Sequence, residues 1–104
     1  MDHRDHVRLL RPGVTLHEGA VWADLGAGTG AFTLALADLL GPGATILAVD
    51  RDAGALRTGV AAVRARFPAV TVEPLVADLE RLAADRSMPP LDGIVAANLS
   101  LIHI

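Results

Sequence analysis

The stretch of sequence that decides the fold reads Ala20-Val21-Trp22-Ala23-Asp24-Leu25-Gly26-Ala27-Gly28-Thr29-Gly30. An apolar run leads into a turn with three alternating glycines, which is the pattern of a buried strand entering a tight loop. Residues 31–40 are good helix formers and nearly all apolar, so they predict a helix buried against a sheet. A glycine turn between two such elements is typical of a ligand site, because a ligand can approach a backbone without side chains closely.

The rest of the chain repeats the alternation of strand and helix. Further strands are predicted at residues 45–49, at residues 70–77 with an interruption at Pro74, and at residues 93–97. Helices are predicted at residues 2–10, after the capping residue Asp52, and near residues 79–85. Since a proline cannot donate to a strand ladder, the third strand should lie at a sheet edge. The pattern predicts an α/β fold with about four parallel strands in the order 3-2-1-4.

Composition limits the protein to one core and excludes several functional classes. The chain has 104 residues, of which 52% are hydrophobic and only 3% aromatic, so Ala, Val, Leu and Ile must build the core. The net charge of −3 and the lack of a basic run do not suit a nucleic-acid partner. Every apolar run is too short to cross a membrane, and the lack of cysteine agrees with a cytoplasmic protein. His3 and His6 have a permissible spacing for metal ligands, but no third ligand converges on them, so no metal site is predicted.

Two kinds of cofactor fit the glycine turn by itself. Gly26, Gly28 and Ala31 satisfy the dinucleotide fingerprint, and Asp50 lies about 20 residues further on, where it could hold a ribose. An NAD(P)-dependent oxidoreductase and a non-catalytic nucleotide-binding module therefore stay as alternatives. Asp24, two residues before the first glycine, is expected at the mouth of the turn. There its carboxylate would repel a pyrophosphate and could hold the ammonium group of a ligand, which points away from a dinucleotide.

Three stretches in order resemble one family. Residues 21–30 look like the first motif of class I S-adenosylmethionine-dependent methyltransferases, with its acidic residue and three alternating glycines. Residues 48–50 resemble the family's second motif, an acid at the end of the second strand, and residues 76–79 resemble its third. The resemblance implies a Rossmann-like fold, S-adenosylmethionine as cofactor, and methyl transfer to an unidentified acceptor, with a small molecule favoured. It names no catalytic residue, because such enzymes mainly align the acceptor for attack on the methyl group.

The resemblance also implies a role for each matching position. The methionine portion would be held by the positions Asp24, Gly26, Ala27, Gly28, Thr29 and Gly30. The ribose would be bound by Asp50, and the adenine by Asp78 and Leu79 with Arg51 beside it. Asn98, after the fourth strand, is also expected among the cofactor-binding residues.

The resemblance fades after Asn98, which leads to an expectation about the end of the chain. Residues 1–98 are interpreted as the cofactor-binding half of a methyltransferase domain, with an incomplete sheet. Residues 99–104, Leu-Ser-Leu-Ile-His-Ile, match a translation of the transposase end sequence found in a common type of sequencing-library adapter. They are therefore expected to be a non-native tail. On this interpretation the chain as it stands binds cofactor weakly at best and transfers no methyl group.

Overall fold

The computed structural model describes residues 2–14, 17–78 and 89–96. Strands and helices alternate along this part of the chain, as the hydrophobic pattern predicts. The elements are α1 (His3–Leu10), a 3-10 turn (Arg11–Gly13), β1 (Val21–Leu25), α2 (Ala31–Leu40), β2 (Thr45–Asp50), α3 (Ala53–Arg66), β3 (Thr71–Val76) and β4 (Gly93–Val95).

The four strands form one parallel sheet in the order β3-β2-β1-β4. This confirms the α/β fold class and the predicted strand order. In the register of the sheet, Trp22 of β1 lies opposite Ile46 of β2, which lies opposite Val72 of β3. The side chains of these three residues are buried on one face of the sheet, in the same cluster as apolar residues of α2 and α3. The core therefore lies between this face and the two helices.

The helix α2 is covered on two sides, which explains why nearly all its residues are apolar. One side packs on the sheet, where Leu36 is completely buried. On another side lies α1, whose His6 ring meets the ring of Phe32 edge-on with centroids 4.6 Å apart. At the other end of the same contact, His3 Nε2 lies 2.8 Å from Asp38 Oδ2. Because two layers bury it, α2 has no wide polar face.

The helix α3 begins and ends where the sequence predicts. The Asp52 side chain caps it by accepting a hydrogen bond of 3.1 Å from the Ala55 N–H, which confirms the predicted cap. It ends at Arg66, just before Pro68. Its three arginines, at positions 57, 64 and 66, are exposed, as the helical spacing predicts, and the Arg64 guanidinium also donates to the Val72 carbonyl at 3.2 Å.

The strand β3 lies at the edge of the sheet as expected, but the predicted interruption at Pro74 was wrong. The strand is continuous through this residue, which pairs in register with Ala48. The N–H groups of Thr71 and Ala77 donate toward β2. Because alternate residues of a strand point to opposite sides, the nitrogen of Pro74 faces the open edge, where no donor is needed.

A long-range contact joins the beginnings of β1 and β4. The Asp92 carboxylate accepts a hydrogen bond of 2.7 Å from the Val21 N–H, and its other oxygen lies 2.9 Å from His17 Nε2. Hydrogen bonding to the carboxylate raises the pKa of His17, while the bond from the Val21 N–H, followed by that from His17, lowers the pKa of Asp92. The contact is therefore strongest when the histidine is protonated and the carboxyl ionised.

Some predicted elements differ from the structure or lie outside the described residues. The fourth strand is shorter than expected and ends at Val95; it has Ile94 exposed and Val95 buried. The helix predicted near residues 79–85 and the tail at residues 99–104 lie outside the described residues. Within the described ranges, no helix has the length and apolar character needed to cross a membrane.

Close packing of Gly93 against Trp22 gives a first prediction. A Cβ atom added to Gly93 would collide with the six-membered part of the Trp22 ring. Gly93→Ala should therefore lower the free energy of unfolding by about 1–3 kcal/mol, the usual cost of overpacking. Urea denaturation measures this loss. Gly13→Ala is the matched control, since its Cβ would meet nothing within 4 Å. Equal stability of the two variants would contradict the packing described here.

Candidate functional site

The predicted cofactor residues lie along the carboxyl edge of the sheet, where parallel strands place their ligands. β1 ends at Leu25 and is followed by residues 26–30, here called the glycine loop. β2 ends at Asp50, and β3 ends at Val76. The structure thus brings the glycine loop, Asp50, Arg51 and the segment that leads to Asp78 to one edge of the molecule.

Hydrogen bonds hold the glycine loop against the end of β2. The N–H groups of Gly26 and Ala27 both donate to the Val49 carbonyl, at 2.8 and 2.9 Å. The Gly28 N–H donates to Asp50 Oδ2 at 2.9 Å. The Gly30 N–H donates to the Ala27 carbonyl at 3.1 Å, so four of the loop's five amide groups are occupied within the protein. The loop can offer a ligand close approach, but these four donors already have acceptors.

All three glycines of the loop have a backbone conformation that favours glycine. Gly26 has a φ of +74°, Gly28 a φ of +57° and Gly30 a φ of +99°, a region that residues with side chains rarely adopt. A Cβ at Gly28 would meet only the Gly26 carbonyl oxygen, at 4.0 Å, so this position borders open space. Gly30 is the N-cap of α2 and has no side chain to cap it. The first turn of α2 is therefore suited to an anionic group of a ligand.

The structure corrects the expected position of Asp24. This residue is 1% exposed and lies beneath α2, where Oδ2 accepts a hydrogen bond of 2.7 Å from the hydroxyl of the equally buried Thr33. It does not stand at the mouth of the loop. Burial raises the pKa of Asp24 to about 6, the Thr33 hydrogen bond opposes this rise, and the charge of Asp50 adds to it. The carboxyl of Asp24 is therefore shielded from solvent, and its contact with the methionine portion of a cofactor stays a prediction.

Asp50 is half-buried and has a structural role in addition to its predicted one. Oδ2 accepts from the Gly28 N–H, and Oδ1 accepts from the Asp52 N–H at 2.9 Å. The carboxylate thus joins the glycine loop to the residue that caps α3. Each carboxylate oxygen has a second lone-pair site, so both remain able to accept a hydroxyl group. The ribose role stays a prediction that this geometry allows.

The remaining predicted residues divide into those near Asp50 and those outside the described part of the chain. Arg51 follows Asp50 directly and is exposed. The Ala77 N–H donates to the Asp50 carbonyl at 3.1 Å, which brings the exposed Asp78 to the same edge. Leu79 and Asn98 lie outside the described residues.

Sequence reasoning missed one residue that contacts the glycine loop. Gly59, in the middle of α3, is buried, and a Cβ built on it would lie 3.1 Å from Gly30 N and Cα and from the Thr29 carbonyl carbon. The signal was present, because an isolated glycine inside a helical pattern usually has a packing reason. Its partner could not be found without the fold, since the two residues belong to different elements.

The buried carboxyl of Asp24 predicts a pH dependence of stability. The folded-state pKa of about 6 exceeds the ordinary value of 3.8. Between these two pH values, Asp24 is therefore protonated in the folded protein and ionised in the unfolded chain. Stability should fall as the pH rises from about 4 to about 6 and then level off. Asp24→Asn keeps an acceptor for Thr33 and removes the charge. At pH 7.5 this variant should unfold at a higher urea concentration than the unaltered chain, with a free energy of unfolding larger by up to about 3 kcal/mol. Its free energy of unfolding should also change less between about pH 4 and pH 6.

Urea denaturation at several pH values measures the difference, with Asp52→Asn as the control. The control removes an exposed carboxyl and keeps a capping oxygen. Its free energy of unfolding should therefore change with pH in the same way as that of the unaltered chain. If Asp24→Asn and the unaltered chain lose stability in parallel as the pH rises, burial does not control the ionisation of Asp24.

Comparison with known proteins identifies the family. Residues 23–104, more than half of the chain, match the family described as Methyltransferase domain. A search of curated proteins gave no match. The family match favours a methyltransferase over an NAD(P)-dependent oxidoreductase, and it agrees with the glycine turn and the acid at the end of β2. The chain therefore belongs to the methyltransferase domain family, and its sequence resemblance to class I S-adenosylmethionine-dependent enzymes is confirmed.

Proposed function

We propose that the chain binds S-adenosylmethionine at the carboxyl edge of its sheet, as part of a methyltransferase that acts on a small-molecule acceptor. The main support is the Asp50 carboxylate, which joins the glycine loop to the cap of α3 and keeps free acceptor sites. The ribose hydroxyls would bind there. The methionine carboxylate would lie at the first turn of α2, whose amide groups and dipole favour an anion.

The charges at this edge favour a cationic ligand. Asp24 and Asp50 lie close enough for the charge of Asp50 to raise the pKa of Asp24. Their repulsion would be relieved by the sulfonium and ammonium groups of S-adenosylmethionine. A dinucleotide would instead place a pyrophosphate at the first turn of α2, above the buried carboxyl of Asp24. This electrostatic argument, together with the family, supports S-adenosylmethionine over NAD(P).

The chemistry follows from what the bound cofactor supplies. S-adenosylmethionine provides an electrophilic methyl group, so the protein's task is to hold the donor and orient the acceptor. The glycine loop and Asp50 perform the first of these tasks. We assign the acceptor to the small molecules because the net charge of −3 lacks the positive surface that a nucleic acid requires. A cytoplasmic location is part of the same proposal, since a chain without cysteine suits a reducing compartment.

A titration of both cofactors, with a variant of the glycine loop, tests the proposal. The unaltered chain should bind S-adenosylmethionine, with the low affinity expected from its sequence, and should not bind NADH, as measured by calorimetry. Gly28→Val places a branched side chain in the open space beside the loop and restricts a φ of +57°, so binding should be lost. Gly19→Val is the control, because it has a φ of +72° and open surroundings but precedes β1 at the opposite edge. It should lose stability and keep its affinity. Binding of NADH alone, or unchanged affinity in Gly28→Val, would refute the assignment.

Replacement of Asp50 tests the ribose contact. Asp50→Ala removes both acceptor oxygens and releases the Gly28 N–H, and should weaken S-adenosylmethionine binding by about 1.5–3 kcal/mol. The affinities of this variant for adenosine and 2′-deoxyadenosine should differ less than those of the unaltered chain, because the variant cannot accept a hydrogen bond from the 2′-hydroxyl. Calorimetry or ligand-observed NMR measures both effects. Equal affinities of variant and unaltered chain would show that the carboxylate serves only the backbone.

A further inference from the structure

The contact between Gly59 and the glycine loop is a close approach of two backbones with no side chain between them. An added Cβ at Gly30 would lie 2.8 Å from Gly59 Cα, and one at Gly59 would lie 3.1 Å from Gly30 Cα. The first distance is too short for any real structure, whereas the second requires a displacement of a few tenths of an ångström. The loop therefore lies directly on the surface of α3.

A glycine is costly in the middle of a helix, so its presence at this position needs a reason. Residue 59 is an interior residue of α3, where alanine would favour the helix. Gly59 is buried, and the atoms nearest to its added Cβ all belong to Gly30 and Thr29. Because residue 59 has no methyl group, the loop can lie directly against the helix.

The same helix also holds the loop at a second point. Asp50 accepts from the Gly28 N–H and from the N–H of Asp52, the residue that caps α3. The loop is thus linked through Asp50 to the beginning of α3 at Gly28, and it contacts the middle of α3 at Gly30. Gly30 is in turn the N-cap of α2, so its position fixes where the first turn of α2 presents its amide groups.

We propose that Gly59 is a positioning residue for cofactor binding: its bare backbone sets where Thr29 and Gly30 lie, and so shapes the part of the site that takes the amino-acid end of S-adenosylmethionine. The inference rests on the proposed function. It assigns to Gly59 an effect on one end of the ligand only, because the adenosine end is bound at Asp50 and beyond it. A glycine that served the fold alone would not distinguish the two ends.

Two ligands that share adenosine and sulfur test this distinction. S-adenosylhomocysteine carries the amino-acid portion, and 5′-methylthioadenosine lacks it. Gly59→Ala should lower the affinity for S-adenosylhomocysteine about tenfold or more, since displacements of about half an ångström disturb such sites. It should change the affinity for methylthioadenosine by less than about twofold. Gly54→Ala is the matched control on the same helix. Its Cβ would meet only the exposed side chains of Asp52 and Arg57, and it should bind both ligands as the unaltered chain does.

Each outcome separates the inference from the proposed function. Equal weakening of both ligands, or no weakening of either, would overturn the positioning role of Gly59. If the unaltered chain binds neither ligand, the proposed function fails, and the contact itself is then tested by NMR on that chain. A nuclear Overhauser effect between the α protons of Gly30 and Gly59 is expected. Its absence would overturn the inference without a variant, including the case in which Gly59→Ala does not fold.

Discussion

The constraint on which the site depends is the Asp50 carboxylate at the end of β2. Its two oxygens accept one backbone N–H from the glycine loop and one from the residue that caps α3. The glycine loop, β2 and α3 thereby meet at a single side chain. Because the glycines of the loop that follows β1 have no side chains, its shape depends on this acceptor, on the Val49 carbonyl and on the surface of α3. If the proposed function is right, binding and folding depend on the same residue.

The sequence predicted the order and type of the described elements well, because local signals and long-range packing agree there. Glycine and proline border α2, and Asp52 marks the start of α3, so these boundaries were predictable. Pro74 predicted the sheet edge correctly and the interruption wrongly. The alternation of a strand explains both results, since at an edge the proline nitrogen faces outward and the ladder continues past it.

The sequence predicted that the glycine loop, Asp50 and Asp78 follow the ends of neighbouring strands, whereas their roles in binding stay predictions. The spacing of Gly26, Gly28 and Gly30 before an apolar helix was enough to locate the loop. Asp24 was placed wrongly relative to the loop. It is two residues after Trp22 in β1, so both side chains point to the face of the sheet that the helices cover. Its partner, Thr33, is one of two polar residues in α2, and that exception was a usable signal. Gly59 contacts Gly30, and Asp92 accepts a hydrogen bond from Val21. Both partners are distant in sequence, so no local pattern predicts these contacts.

The hydrogen bond between Asp92 and Val21 has a consequence for the synthesis of the protein. These residues are 71 positions apart, so one side of β1 has no neighbouring strand until the segment with β4 has been made. At ribosomal speeds of about 5–20 residues per second, that interval lasts about 4–14 s. Closing so long a loop is entropically costly, and topologies with distant pairings fold slowly. During those seconds the nascent chain presents a strand that is unpaired on one side and carries a tryptophan, a surface of the kind that chaperones bind.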